Sequence, residues 1–138
     1  MNFEEQIKSN CCSLPYDRIN ISEFRELNVS TITRAVLFVF ATWSGTSIVS
    51  FRLLCESLAR SPRAKFPIIV LDADGFDFDA FKKTFGDLPQ GKGEAFWIEN
   101  GQVVFRDHGY TKDTIEILPA RISSLNSPES DAGHVKKA

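Results

Sequence analysis

Ala35-Val36-Leu37-Phe38-Val39-Phe40 decides the fold. The run is apolar without alternation, and such a strand is buried on both faces, at the centre of a sheet covered by helices on each side. Directly after it come Ala41-Thr42-Trp43-Ser44, then Gly45–Arg60, where Ile48, Phe51, Leu54, Cys55 and Leu58 recur at helical spacing until Pro62 stops the helix. A second buried strand follows at Phe66–Asp72, carrying Pro67-Ile68-Ile69-Val70-Leu71.

Working outward, residues Asn2–Ser9 read as a short helix with Phe3 and Ile7 on one face. Tyr16–Asn20 reads as an edge strand, and Ser22 as the N-cap of a helix through Phe24 and Leu27 that ends near Asn28. On the other side, Asp77 caps a helix whose Phe78, Phe81 and Phe85 are expected in the core, with Gly86 as its stop. Glu94–Glu99 and Gln102–Asp107 form a hairpin about Asn100-Gly101. Thr111 opens a last helix with Ile115, Leu118, Ile122 and Leu125 inward, and Pro119 is expected to kink or split it. The order implies an α/β three-layer sandwich, a mixed sheet of about five strands with helices on both faces. The expected organisation is a helical extension over residues 1–15, a globular domain over 16–126 and a disordered tail over 127–138.

Composition narrows the function classes. The 138 residues carry a net charge of −2, which makes no electrostatic case for nucleic acid or an anionic membrane. No apolar run approaches the roughly 18 residues of a membrane span. Glu4 and Glu5 stand where a secretory leader would be basic, so the expected location is cytoplasmic. Cys11, Cys12 and Cys55 show neither CxxC nor zinc spacing and are expected as free thiols. His108 and His134 are isolated, and no metal or cofactor is expected.

Several motifs together resemble the thioredoxin family. Ala41-Thr42-Trp43-Ser44-Gly45-Thr46-Ser47 sits where thioredoxins carry Trp-Cys-Gly-Pro-Cys. Val70-Leu71-Asp72-Ala73-Asp74, Phe85-Gly86 and Glu99-Asn100-Gly101-Gln102-Val103 resemble the next strand, the aromatic-Gly turn and the hairpin of that family. The resemblance runs from Tyr16 to Leu125 and implies the thioredoxin fold. Its departures fall on the chemistry: Ser44 and Ser47 take the places of the nucleophilic and resolving cysteines, Phe38 that of the buried acid, Val70 that of its lysine, and Gly93 that of the cis-proline. A hydroxyl at a helix N-terminus stays protonated where a thiol would ionise. Without proline a cis bond costs about 3–4 kcal/mol, so the loop at Gly93 is expected trans.

What the residues and the resemblance imply is a non-catalytic domain that binds another protein or peptide. Its setting is an assembly or chaperone-like subunit, an immunity-type inhibitor or a structural subunit. The implied surface comprises Trp43, Ser44, Gly45 and Thr46 with Lys92, Gly93 and Glu94 opposite. Trp43 is either a partner anchor or packed on the neighbouring loop, and Ser44 reads as an N-cap. The alternative is a redox or glutathione-linked enzyme that uses Cys11 and Cys12, or Ser44. The acidic stretch Asp72–Asp79 reads as solvated caps, because it lacks the glutamate that closes a calcium loop.

Overall fold

Residues 1–125 are described by a computed structural model. Its strands are β1 (Ile19–Ile21), β2 (Arg34–Phe40), β3 (Ile68–Asp72), β4 (Ala95–Glu99) and β5 (Gln102–Asp107), and its α-helices are α1 (Phe3–Asn10), α2 (Gly45–Ala59), α3 (Phe78–Phe85) and α4 (Ile117–Leu125). The sheet order is β1-β3-β2-β4-β5. β1, β3 and β2 run parallel, while β4 and β5 run antiparallel to their neighbours. The expected mixed five-stranded sandwich is therefore the observed one.

The unbroken apolar run in β2 is divided by the pleat. Val36, Phe38 and Phe40 enter the core shared with α1, α2 and α4, whereas Ala35, Leu37 and Val39 enter the core beneath α3. All six are completely buried. On the α2 side the rings of Phe38 and Phe40 each lie 5.1 Å from Phe51, and Phe3 of α1 meets Phe40 edge-on at 5.9 Å. Such pairs add about 0.5–1.5 kcal/mol each beyond the area they bury. α1 is thus part of the packed body, with Ile7 fully buried. The hairpin forms as expected, with Asn100 at φ +52 and Gly101 at φ +78, the positive pair a tight two-residue turn requires.

Four expectations need correction. Tyr16–Arg18 is a 3₁₀ turn, and β1 is only Ile19–Ile21. Pro15 starts that turn by accepting the Arg18 amide, so pairing begins one turn later than the apolar pattern suggests. Ser22 caps no helix, since its hydroxyl donates to the Glu23 carbonyl and Phe24–Glu26 is a single 3₁₀ turn. A 3₁₀ turn eclipses residues three apart, which lets Phe24 and Leu27 pack together on the core under α3. Thr111 opens only a turn closed by Thr114, and α4 starts at Ile117. Pro119 then falls in the first turn of α4, where its missing N–H has no intrahelical acceptor to lose, so neither kink nor split follows. The tail assigned to residues 127–138 lies outside the described residues.

Candidate functional site

The β2–α2 junction carries the residues singled out in the sequence. Ser44 has extended backbone angles (φ −111°, ψ 116°), and its Oγ accepts the Ser47 amide at 3.3 Å, which makes it the N-cap of α2. Ser47 is fully buried, and its Oγ accepts the Ala41 amide at 2.9 Å. Both hydroxyl oxygens accept a backbone amide at the helix start. Gly45 and Thr46 are exposed beside them.

Trp43 stands out from this turn at 65% exposure. Its Nε1 donates to Asp74 Oδ1 at 3.3 Å, and its ring lies over Gly91, where an added Cβ would sit 2.5 Å from the ring. The ring is therefore packed on the neighbouring loop, one of the two sequence readings, and is also open to solvent.

The opposite wall is smaller than expected. Lys92 is exposed, but Gly93 and Glu94 are buried and offer no wall to a ligand. Gly93 takes φ +80°, and its carbonyl accepts the Ser50 hydroxyl at 2.8 Å. The Ser50 oxygen in turn accepts the Tyr110 amide at 2.9 Å. The Glu94 carboxylate turns inward: Oε2 accepts the Gln90 amide, and Oε1 meets no hydrogen-bond partner among the described residues. The Glu94 carbonyl accepts the Val39 amide. Every peptide bond among the described residues is trans, including the one before Gly93. The candidate surface therefore contracts to Trp43, Ser44, Gly45, Thr46 and Lys92.

No protein-family model and no curated protein matches the chain in sequence. Solved structures do match. A thioredoxin from Malassezia sympodialis superposes with a TM-score of 0.61 at 17% identity, over 79% of this chain and 91% of its own. The desulfothioredoxin from Desulfovibrio vulgaris Hildenborough, in its reduced form, gives 0.57 at 16% identity, over 77% of this chain and 97% of its own. The chain has the thioredoxin fold.

Within that thioredoxin fold, Phe38 and Val70 stand side by side on β2 and β3, and both are completely buried. The two positions that the sequence resemblance sets against the family's buried acid and lysine are hydrocarbon, with the Phe51 ring beside Phe38. The cysteines lie elsewhere, around the α1–α2 contact. Burial pushes the Cys11 and Cys55 thiols up, away from thiolate formation, and Cys55 is wholly enclosed. Cys12 is exposed, at φ +56°. All three thiols are free, and no cluster of potential metal ligands exists among the described residues.

The acidic stretch behaves as read: Asp77 Oδ1 accepts the Asp79 and Ala80 amides, and Asp72 Oδ1 accepts that of Asp74. Phe78 does not. It is 55% exposed rather than in the core, because Phe76 takes the inner seat, stacked on Phe81 at 4.8 Å.

One polar network escaped the sequence reading. The Asp107 carboxylate accepts from Tyr110 Oη at 2.6 Å, from Trp97 Nε1 at 3.1 Å and from two nitrogens of Arg121 at 2.9 and 3.2 Å. It ties the hairpin to α4. Burial, with Asp107 beside it, pushes the Tyr110 phenol well above its ordinary value, and Asp107 raises the Arg121 guanidinium. No periodicity links these residues, so only the fold brings them together.

Proposed function

We propose that this chain is a non-catalytic thioredoxin-fold protein that works by binding another protein or peptide at the surface around Trp43. The observation that carries the reading is the use of both hydroxyls at the dithiol positions: Ser44 and Ser47 each hold a backbone amide of the β2–α2 junction. Two hydroxyls cannot cycle through a disulfide. Phe38 and Val70 offer no proton shuttle, which supports the same reading. Trp43 then becomes the leading feature of the site, since an exposed, immobilised Trp loses little rotamer entropy when a partner covers it. Free thiols suit a reducing compartment, and we place the protein in the cytoplasm on that ground.

Two experiments test the proposal. The purified protein is expected to leave the dithiothreitol-driven reduction of insulin at its uncatalysed rate. Affinity capture from the native cell, run in parallel with wild type and Trp43→Ala, is expected to lose its specific partner in the variant. For a purified partner the loss should be about 2 kcal/mol or more, roughly thirtyfold in affinity. Turnover in the first assay overturns the non-catalytic reading. Unchanged affinity of a folded Trp43→Ala protein moves the interface elsewhere.

A further inference from the structure

β5 is the last strand of the sheet, and among the described residues it pairs with β4 alone. Its outer row of backbone N–H and C=O groups is therefore open to an added strand. At the C-terminal end of β5 lies a cavity of about 430 Å³, bounded by Asp107, His108, Gly109 and Tyr110 on one side and by Thr114 and Ile117 on the other. The surface it exposes is mainly carbon. Its walls are already held in place. The Asp107 carboxylate accepts from Tyr110, Trp97 and Arg121, and the Arg121 guanidinium lies 4.1 Å over the Phe105 ring. A pocket built in advance loses little entropy when a side chain fills it. Two exposed apolar side chains flank it, Val104 on the strand and Ile117 at the rim.

The other face of the same strand end is cationic. Successive strand residues point to opposite faces, so Arg106 leaves the sheet on the α3 side while Asp107 faces α4. An Arg106 guanidinium nitrogen stands 3.3 Å from where a Cβ on Gly86, the C-cap of α3, would sit. Among the described residues no carboxylate lies within ion-pair distance of Arg106. Lys82 and Lys83 stand in the last turn of α3 and add to the positive charge, and Asp87 opposes it, with Oδ1 accepting the Leu88 amide. On the α4 side the exposed carboxylate is Glu116, at the cavity rim, which disfavours an acid inside the cavity.

Independently of the Trp43 reading, we propose that β5 accepts an extended segment of another protein as a further strand. One apolar side chain of that segment enters the cavity, and the acidic residue next to it, on the opposite face, meets Arg106. Main-chain bonds to a sheet edge supply affinity, and pockets for alternate side chains supply the choice of sequence. The extra residue at Val104 and the charge at Arg106 are devices that keep an edge from pairing indiscriminately. Here they confine pairing to the stretch beside the cavity and select a strand that carries a carboxylate. A second copy of this chain fits less well. Full antiparallel pairing of two β5 strands sets Gln102 against Asp107 and Val103 against Arg106, which supplies neither the apolar anchor nor the acid.

The test uses the full chain and a blocked, fluorescein-labelled heptapeptide, Thr-Thr-Glu-Leu-Glu-Thr-Thr, followed by anisotropy up to about 1 mM protein, the weak end of recognition. Saturable binding is expected, about tenfold weaker with alanine in place of leucine and weaker again with lysine in place of both glutamates. Arg106→Glu should reverse the order of the Glu and Lys peptides, and Ile117→Ser should weaken the parent peptide, each variant first shown folded by circular dichroism. Alternate amides of an added strand face its neighbour, so methylating the peptide nitrogen at two successive residues in turn should abolish binding at one and spare it at the other. Trp43→Ala should leave the affinity unchanged. No binding by any peptide, equal binding of the Glu and Lys peptides, or the same response to both methylations overturns the proposal and leaves the Trp43 reading standing. Loss of the peptide in Trp43→Ala also overturns it, by moving the peptide to that surface. A dimer in sedimentation that Arg106→Glu dissociates makes a second copy the occupant, and the proposal then fails.

Discussion

Replacing Gly93 by alanine tests the geometry on which the site description rests. Gly93 holds φ +80°, where an L side chain costs about 1–2 kcal/mol. A Cβ there would lie 2.5 Å from Ser50 Cβ and 2.7 Å from Ser50 Oγ. Ser50 cannot simply turn away, because its hydroxyl donates to Gly93 O and accepts Tyr110 N–H, in a fully buried setting. Relieving the overlap therefore takes overpacking strain of about 1–3 kcal/mol, or loses a hydrogen bond of about 1 kcal/mol and strands a buried amide. Alanine returns about 0.4–1 kcal/mol by stiffening the unfolded chain. The net expectation is a loss of about 3 kcal/mol out of a total of roughly 5–15. Urea denaturation followed by circular dichroism measures it, with a melting point lowered by about 10 °C or more. Gly45→Ala is the internal control. It sits at the exposed start of α2, where an added Cβ would meet nothing within 4 Å beyond its own helical turn, and should be neutral or up to about 1 kcal/mol stabilising. A Gly93→Ala protein within about 1 kcal/mol of wild type would refute the left-handed conformation and the Ser50 clamp together.

Other perturbations address the thiols and the buried network. Ser44→Cys with Ser47→Cys should form a disulfide at the helix start, yet catalyse insulin reduction far below an ordinary thioredoxin, because Phe38 supplies no proton shuttle; equal activity would show that the flanking positions do not matter. Of the native thiols, Cys12 alone should react with Ellman's reagent in the folded protein, and Cys11 and Cys55 only after denaturation; rapid labelling of all three would contradict their burial. Tyr110 ionises at a higher pH folded than unfolded, so the native state holds its proton longer. Its contribution to stability should be complete below pH 10.0 and fall as pH rises from there toward the folded value. Denaturation curves at rising alkaline pH should show this loss in wild type and a flatter profile in Tyr110→Phe; identical slopes would remove Tyr110 as the cause.

The fold was legible because β2 and β3 announce themselves by unbroken apolar runs, and because α2, α3 and the hairpin carry their own caps and turn residues. The errors fall where local pattern competes with tertiary packing. Phe78 shares a helical face with Phe81 and Phe85 in the sequence, yet α3 begins at Phe78, and the preceding Phe76 fills the space it would need. Gly93 is tied through Ser50 to Tyr110, which lies 60 residues beyond Ser50. Nothing within the 91–94 segment records those partners. Trp43 was legible as a candidate, but its support from Asp74 and Gly91 comes from two other loops.

Phe38 and Gly93 also meet the same neighbours, which bears on how the site would respond to the residues thioredoxins carry there. A Cβ at Gly93 would approach Phe38 Cζ at 3.0 Å as well as Ser50, and a proline there would need φ near −65° where the chain holds +80°. Restoring a proline thus requires the loop to be rebuilt and both Phe38 and Ser50 to give way. An acid at Phe38 would place a carboxylate against Phe40, Phe51 and Val70, whose hydrocarbon does nothing to offset its burial. A cysteine at Ser47 would exchange a firm acceptor of the Ala41 amide for a weak sulfur one. Phe38, Ser50 and Gly93 are thus packed on one another beneath the loop, and a change at any one of them falls on its neighbours.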